Sequence, residues 1–136
     1  MELHRGEIYF LKFPYTLDDR YPNGKSKFVL VLQEGEYFKK YRTVEILLIT
    51  SDKQYKPREN YVTDVEIEKG TTKLKEKSWV LCAQPYPIEK VLFEQDGVWC
   101  AGKLSPEKMD EIDEALYIGL CIGLQNELNN EFAAED

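Results

Sequence analysis

The sequence predicts a mainly β protein, with about six short strands curled into a small barrel and one α-helix at the C-terminal end. Three observations lead there. Runs rich in aromatic and β-branched residues recur at strand length. Turn formers separate them: Pro22-Asn23-Gly24, Pro57, Gly70, Pro85, Pro87 and Asp96-Gly97. Helical apolar spacing occurs only near the C-terminal end, which disfavours a parallel α/β sheet and favours a barrel.

Taken in order, EIYFLKF (7–13) is aromatic and β-branched and reads as the first strand. FVLVLQ (28–33) is a continuous apolar run, the pattern of a strand covered on both faces. VEILLIT (44–50), YVTDVEI (61–67), SWVLCAQ (78–84) and GVWCAGKL (97–104) complete the set. Ser105 is placed to cap a helix with Pro106 at its first position. Glu107, Asp110 and Glu111 suit the positive end of the helix dipole, and Leu104 can pack against Met109 across the first turn. Met109, Ile112, Leu116, Leu120 and Gly123 form a stripe at three- and four-residue spacing, which Leu128 and Phe132 would extend. From Gln125 the chain is polar and is expected to fray. The organisation expected is one domain over 1–124 and a polar acidic tail over 125–136, with no internal repeat.

A chain of 136 residues, 43% hydrophobic and 32% charged, buries a working core without disulfides or metals. No apolar run approaches the roughly 20 residues needed to cross a bilayer. MELHRGEIYF lacks a signal-peptide layout, so the expected location is cytoplasmic, with no membrane partner. Cys82, Cys100 and Cys121 are widely spaced without a CxxC, and the single His4 lies at an N-terminus expected to be mobile. The thiols are therefore expected to be reduced and buried. Neither a zinc set nor a Ser–His or Cys–His pair is available, and there is no phosphate-binding glycine loop. No metal and no cofactor are predicted.

The net charge of −7 is unevenly spread: ten Lys/Arg face six Asp/Glu between Lys12 and Arg58, and one faces nine from Leu104 onward. The basic part attracts phosphates where the C-terminal part repels them. Within it, Lys25, Ser26 and Lys27 stand at the lip of an apolar strand, while Thr50 and Ser51 stand where another strand runs out. If the two strands pair antiparallel, Lys27 meets Thr50, and an ammonium beside two hydroxyls makes a phosphate or oxyanion site. Spacing alone leaves the commoner alternative open: a solvated turn lysine, and a Thr-Ser pair that caps a turn.

RGEIYFLKFPYT (5–16), KSKFVLVLQ (25–33), ILLITS (46–51), SWVLCAQPYPIEK (78–90) and KLSPEKMDEIDEALYIGL (103–120), in this order, resemble the MazF/PemK toxins of type II toxin–antitoxin systems. The resemblance implies an SH3-like barrel with a C-terminal helix, forming a homodimer. It implies a sequence-specific, metal-independent endoribonuclease acting on single-stranded RNA by 2′-hydroxyl attack, leaving a 2′,3′-cyclic phosphate. It also implies a cognate antitoxin peptide that blocks the RNA groove. Carried over by position, Lys27-Phe28 stands where the family has its catalytic Arg-Pro pair, and Thr50 matches its partner threonine. Phe13, Tyr15 and Thr16 fall where the family lines its groove, and Gln84 matches a Gln of its fifth strand. Lys25, Ser26 and Ser51 stand beside Lys27 and Thr50 as further substrate-binding candidates, and Tyr86 replaces a second arginine. Tyr55 is a further candidate for stacking on bases, and Asp18, Asp19 and Arg20 for tuning specificity. Arginine presents a fork to two phosphate oxygens and lysine a point charge. Two alternatives follow: a weakened relative that binds RNA or antitoxin as a regulator, and a topoisomerase-poisoning toxin on the same fold.

Overall fold

In a computed structural model of the chain, residues 2–14, 22–51, 62–70 and 72–123 are described. Seven strands precede one helix: β1 (Glu7–Phe13), β2 (Lys25–Val31), β3 (Thr43–Ser51), β4 (Asp64–Ile67), β5 (Ser78–Leu81), β6 (Tyr86–Glu89), β7 (Trp99–Lys103) and α1 (Pro106–Gly119). They form one curled antiparallel sheet in the order β4-β5-β3-β2-β1-β7, with β6 also on β3. β5 takes the C-terminal end of β3, from Ile49–Val80 to Ser51–Ser78. β6 takes its N-terminal end, from Thr43–Glu89 to Ile46–Tyr86.

Alternation along the strands feeds two cores, one on each face of the sheet. Ile8, Leu30, Leu47, Ile49 and Val80 pack with Met109, Ile112 and Ala115 of α1. Tyr9, Leu11, Phe13, Val29, Val31, Ile46 and Ile88 pack on the other face with Phe93, which a 3-10 turn at Lys90–Glu94 carries inward. Val29, Leu30 and Val31 have no exposed surface. The unbroken apolar run of β2 thus has the expected cause: both faces are covered.

The helix begins as predicted, with Ser105 Oγ accepting a hydrogen bond from the Lys108 amide at 3.2 Å. Its buried side keeps Met109 and Ile112 of the predicted stripe, with Leu116 packed against the core, and departs from it further along. Small Ala115 faces the core, and a Cβ on Gly119 would lie 3.0 Å from Ala83 Cα, so the helix end lies close against the chain just after β5. Leu120, assigned to the stripe, lies past the helix end and is 48% exposed, alongside exposed Tyr117, Ile118 and Ile122.

Three further differences have local causes. β2 starts at Lys25, so both lysines lie inside the strand. β6 forms where the sequence signals a Pro-rich turn, with Pro87 opposite Glu45; among the described residues β6 pairs only with β3, so an edge position tolerates the missing N–H. His4 is held in place, its Nδ1 3.1 Å from Glu34 Oε2 and its backbone N–H donating to Glu7. Arg5 donates to the Leu32 carbonyl and pairs with Asp113 of α1. Of the thiols only Cys82 is buried; Cys121 is exposed. Burial, with Asp64 nearby, pushes the Cys82 thiol up to about 12. Among the described residues no helix is long and apolar enough to cross a membrane. The segment 125–136 lies outside the described residues.

Candidate functional site

The lip is built by the β1–β2 pairing. Phe13 faces Lys25 and Leu11 faces Lys27, so both lysines share the face of two side chains buried in the second core. Lys27 is therefore half-buried. Burial, then the like charge of Lys25, holds its ammonium below the ordinary lysine range.

β2 and β3 are antiparallel, and their ladder runs from Val31–Ile46 to Phe28–Ile49. Continued one step, that register sets Lys27 across from Thr50, a separation of about 5 Å between Cβ atoms for facing residues. On its other side Thr50 faces Trp79 of β5. The Lys77 ammonium lies 5.3 Å from the Trp79 ring centroid and 3.3 Å from a Glu66 carboxylate oxygen. Tyr86, opposite Ile46, meets Phe13 edge-on with ring centroids 5.5 Å apart.

Of the predicted residues, the sheet gathers Lys25, Lys27 and Thr50 on one face. Ser26 and Ser51 are one residue out of phase and turn to the other. Phe13, 5% exposed, supports the lip from beneath and offers no free ring face. Gln84 is exposed in the bend between β5 and β6. Tyr15, Thr16, Asp18, Asp19, Arg20 and Tyr55 lie outside the described residues. Trp79 was missed; the signal was its position next to Val80 in SWVL, which puts it on the face opposite the core residue. Among the described residues no three His, Cys, Asp or Glu stand together as a metal site.

Two ammoniums beside a hydroxyl, walled by an indole and a phenol, can hold a phosphodiester and cover its neighbouring bases. A half-buried lysine with a lowered pKa can also stabilise anionic charge and pass a proton.

Fold and lip together define a small β-barrel protein with a cationic rim. A family model for PemK-like, MazF-like toxins of type II toxin–antitoxin systems matches residues 4–120, and the chain belongs to that family. No curated protein matches the chain in sequence. Among solved structures, it is similar to an endoribonuclease in complex with its cognate antitoxin from a Mycobacterial species, at 17% identity and TM-score 0.64 over 88% of this chain and 96% of that one. It is similar to MazF in a MazE–MazF complex from Deinococcus radiodurans, at 15% identity and TM-score 0.64 over 88% and 96%. The Mycobacterium tuberculosis toxin MazF-mt6 aligns at 17% identity and TM-score 0.61 over 84% and 95%. At these identities the likeness is one of fold.

Proposed function

We propose that the protein is a metal-independent endoribonuclease toxin that cuts single-stranded RNA at a short sequence. One observation carries the reading: the antiparallel β2–β3 register, which continued one step has Lys27 across from Thr50 on the face it shares with Lys25. In this reading the ammonium of Lys27 stabilises the charge on the phosphorane as the 2′-oxygen attacks. Thr50 donates to a phosphate oxygen, and Lys25 strengthens the local field. The products are a 2′,3′-cyclic phosphate and a 5′-hydroxyl. Trp79 and Tyr86 flank the path of the bases. An antitoxin with an acidic segment would occupy the same cationic face, and a second copy of the chain would cover the exposed end of α1. Residues 1–124 form the functional unit, working in the cytoplasm.

The test is incubation with long single-stranded RNA in excess EDTA, with the new ends mapped. Cuts at one motif that disappear in Lys27→Ala and Thr50→Ala support the reading. The lysine in place of an arginine favours a second reading, a protein that binds RNA or antitoxin without cutting. No cuts from folded protein that still binds RNA would select it.

A further inference from the structure

On the opposite face of the sheet, at the same end as the lip, lies a second feature. Phe10, Phe28 and Trp99 form a cluster with centroid separations of 4.9 Å (Phe10–Phe28), 5.9 Å (Phe10–Trp99) and 5.7 Å (Phe28–Trp99). With Leu74 they line a cleft of about 350 Å³ whose wall is completed by Lys73, Lys75, Glu76, Ser51 and Ser78. Trp99 is 42% exposed there. An indole left half in water beside two other rings is a large apolar surface waiting for a flat partner.

Its surroundings narrow the partner. The chain carries a net charge of −7, yet the charged side chains that wall the cleft are two lysines, Lys73 and Lys75, against one glutamate, Glu76. The Lys73 amide donates to Ala101 O at 2.8 Å, which fixes this segment along β7 beside Trp99. The cleft lies back to back with the lip: Phe28 follows Lys27 and Ser51 follows Thr50, each on the opposite face of its strand. The cleft and the proposed cutting site are thus the two faces of one rim, separated by the end of β3. Aromatic faces bounded by lysines are how single-strand binders take bases without reading a long sequence.

We propose that this cleft is a base-binding subsite. An unpaired base of the RNA flanking the cut phosphate crosses the end of β3 and stacks on Trp99, while Lys73 and Lys75 hold the adjoining phosphates. The proposal rests on the ribonuclease reading for its ligand, and it adds a second anchoring point on the far side of the sheet.

The two tryptophans, one on each face, allow the test. Trp79→Phe leaves Trp99 as the sole indole, and Trp99→Phe leaves Trp79. Each variant is titrated with random-sequence, fully 2′-O-methylated single strands, which cannot be cut, while cleavage by the unaltered protein is measured in parallel. The expected result is saturable quenching of Trp99. Trp99→Leu should raise the dissociation constant roughly tenfold or more, in line with the loss of one base–aromatic stack. Lys73→Ala with Lys75→Ala, a surface change, should weaken binding several-fold and make its salt dependence shallower. Quenching of Trp79 with Trp99 silent overturns the subsite and leaves the ribonuclease standing. Cleavage absent with both indoles silent removes both. Equal quenching by poly-glutamate, or a concentration-dependent emission shift without RNA, assigns the cleft to an acidic peptide or to a second copy and overturns the proposal.

Discussion

Gly24 lies so close to Phe13 that a Cβ placed on it would be 2.6 Å from the Phe13 carbonyl oxygen, and its φ is +82°. Two independent constraints therefore select glycine at the start of β2: the left-handed backbone and the contact with β1. That contact sets where the chain re-enters the sheet, and so where Lys25 falls opposite Phe13. Gly24→Ala should lower stability by about 1–3 kcal/mol and reduce RNA cleavage beyond what the loss of folded protein explains. Thermal melting alongside cleavage per folded molecule checks this; an unchanged melting temperature would refute it.

Lys27→Arg restores a planar fork at the lip. If the lysine limits transition-state stabilisation, the variant should cut faster by roughly one to two decades, since a second oriented donor is worth a few kcal/mol. Rates on one RNA, compared under single-turnover conditions, decide this. A slower variant would mean that the half-buried site is shaped for the ammonium.

The lowered pKa of Lys27 has a sign that can be read. Its charged form is disfavoured in the folded protein, so a small folding cost is fully present below the lowered value, fades as pH rises from it toward 10.5, and is gone above 10.5. Phosphate binding runs the other way: it is complete below that pKa and lost above it, at a lower pH than the ordinary 10.5. Because Lys25 contributes to the shift, Lys25→Ala should weaken binding overall yet move the midpoint of its loss upward. An oligonucleotide binding curve against pH measures both; a midpoint that moves down would contradict the assignment.

The exposed side chains around the end of α1 (Tyr117, Ile118, Leu120 and Ile122) are about half accessible in the single chain. Covering them with a second copy predicts a dimer at micromolar concentration. Ile118→Lys with Leu120→Lys should shift it to monomer by light scattering with the far-ultraviolet spectrum retained. A monomer before substitution would remove the claim.

How far the sequence could be read depended on what each residue type reveals. The two-sided burial of β2 was legible because Val29, Leu30 and Val31 break the alternation of a one-sided strand. The helix start was legible in Ser105-Pro106. Its buried side was legible at Met109 and Ile112 but not further along, because Ala115 and Gly119 pack by being small, and periodicity weighs large side chains. β6 was hidden by Pro85 and Pro87, which signal a turn unless the single pairing edge is known. At the lip, Lys27 and Thr50 could be matched once antiparallel pairing was assumed. Trp79 and Trp99 could not, since their roles depend on the register of β5 with β3 and of β7 with β1.

Since Val29, Leu30 and Val31 are shut away on both sides, their amides should be among the slowest in the molecule to exchange with deuterated water, opening only when the whole chain does. The two lysines are the preceding residues of that same strand. Their anchorage therefore belongs to a deeply packed strand of the sheet, and the cationic rim is set by the fold itself. A ligand drawn to that charge would meet a backbone that stays still beneath it.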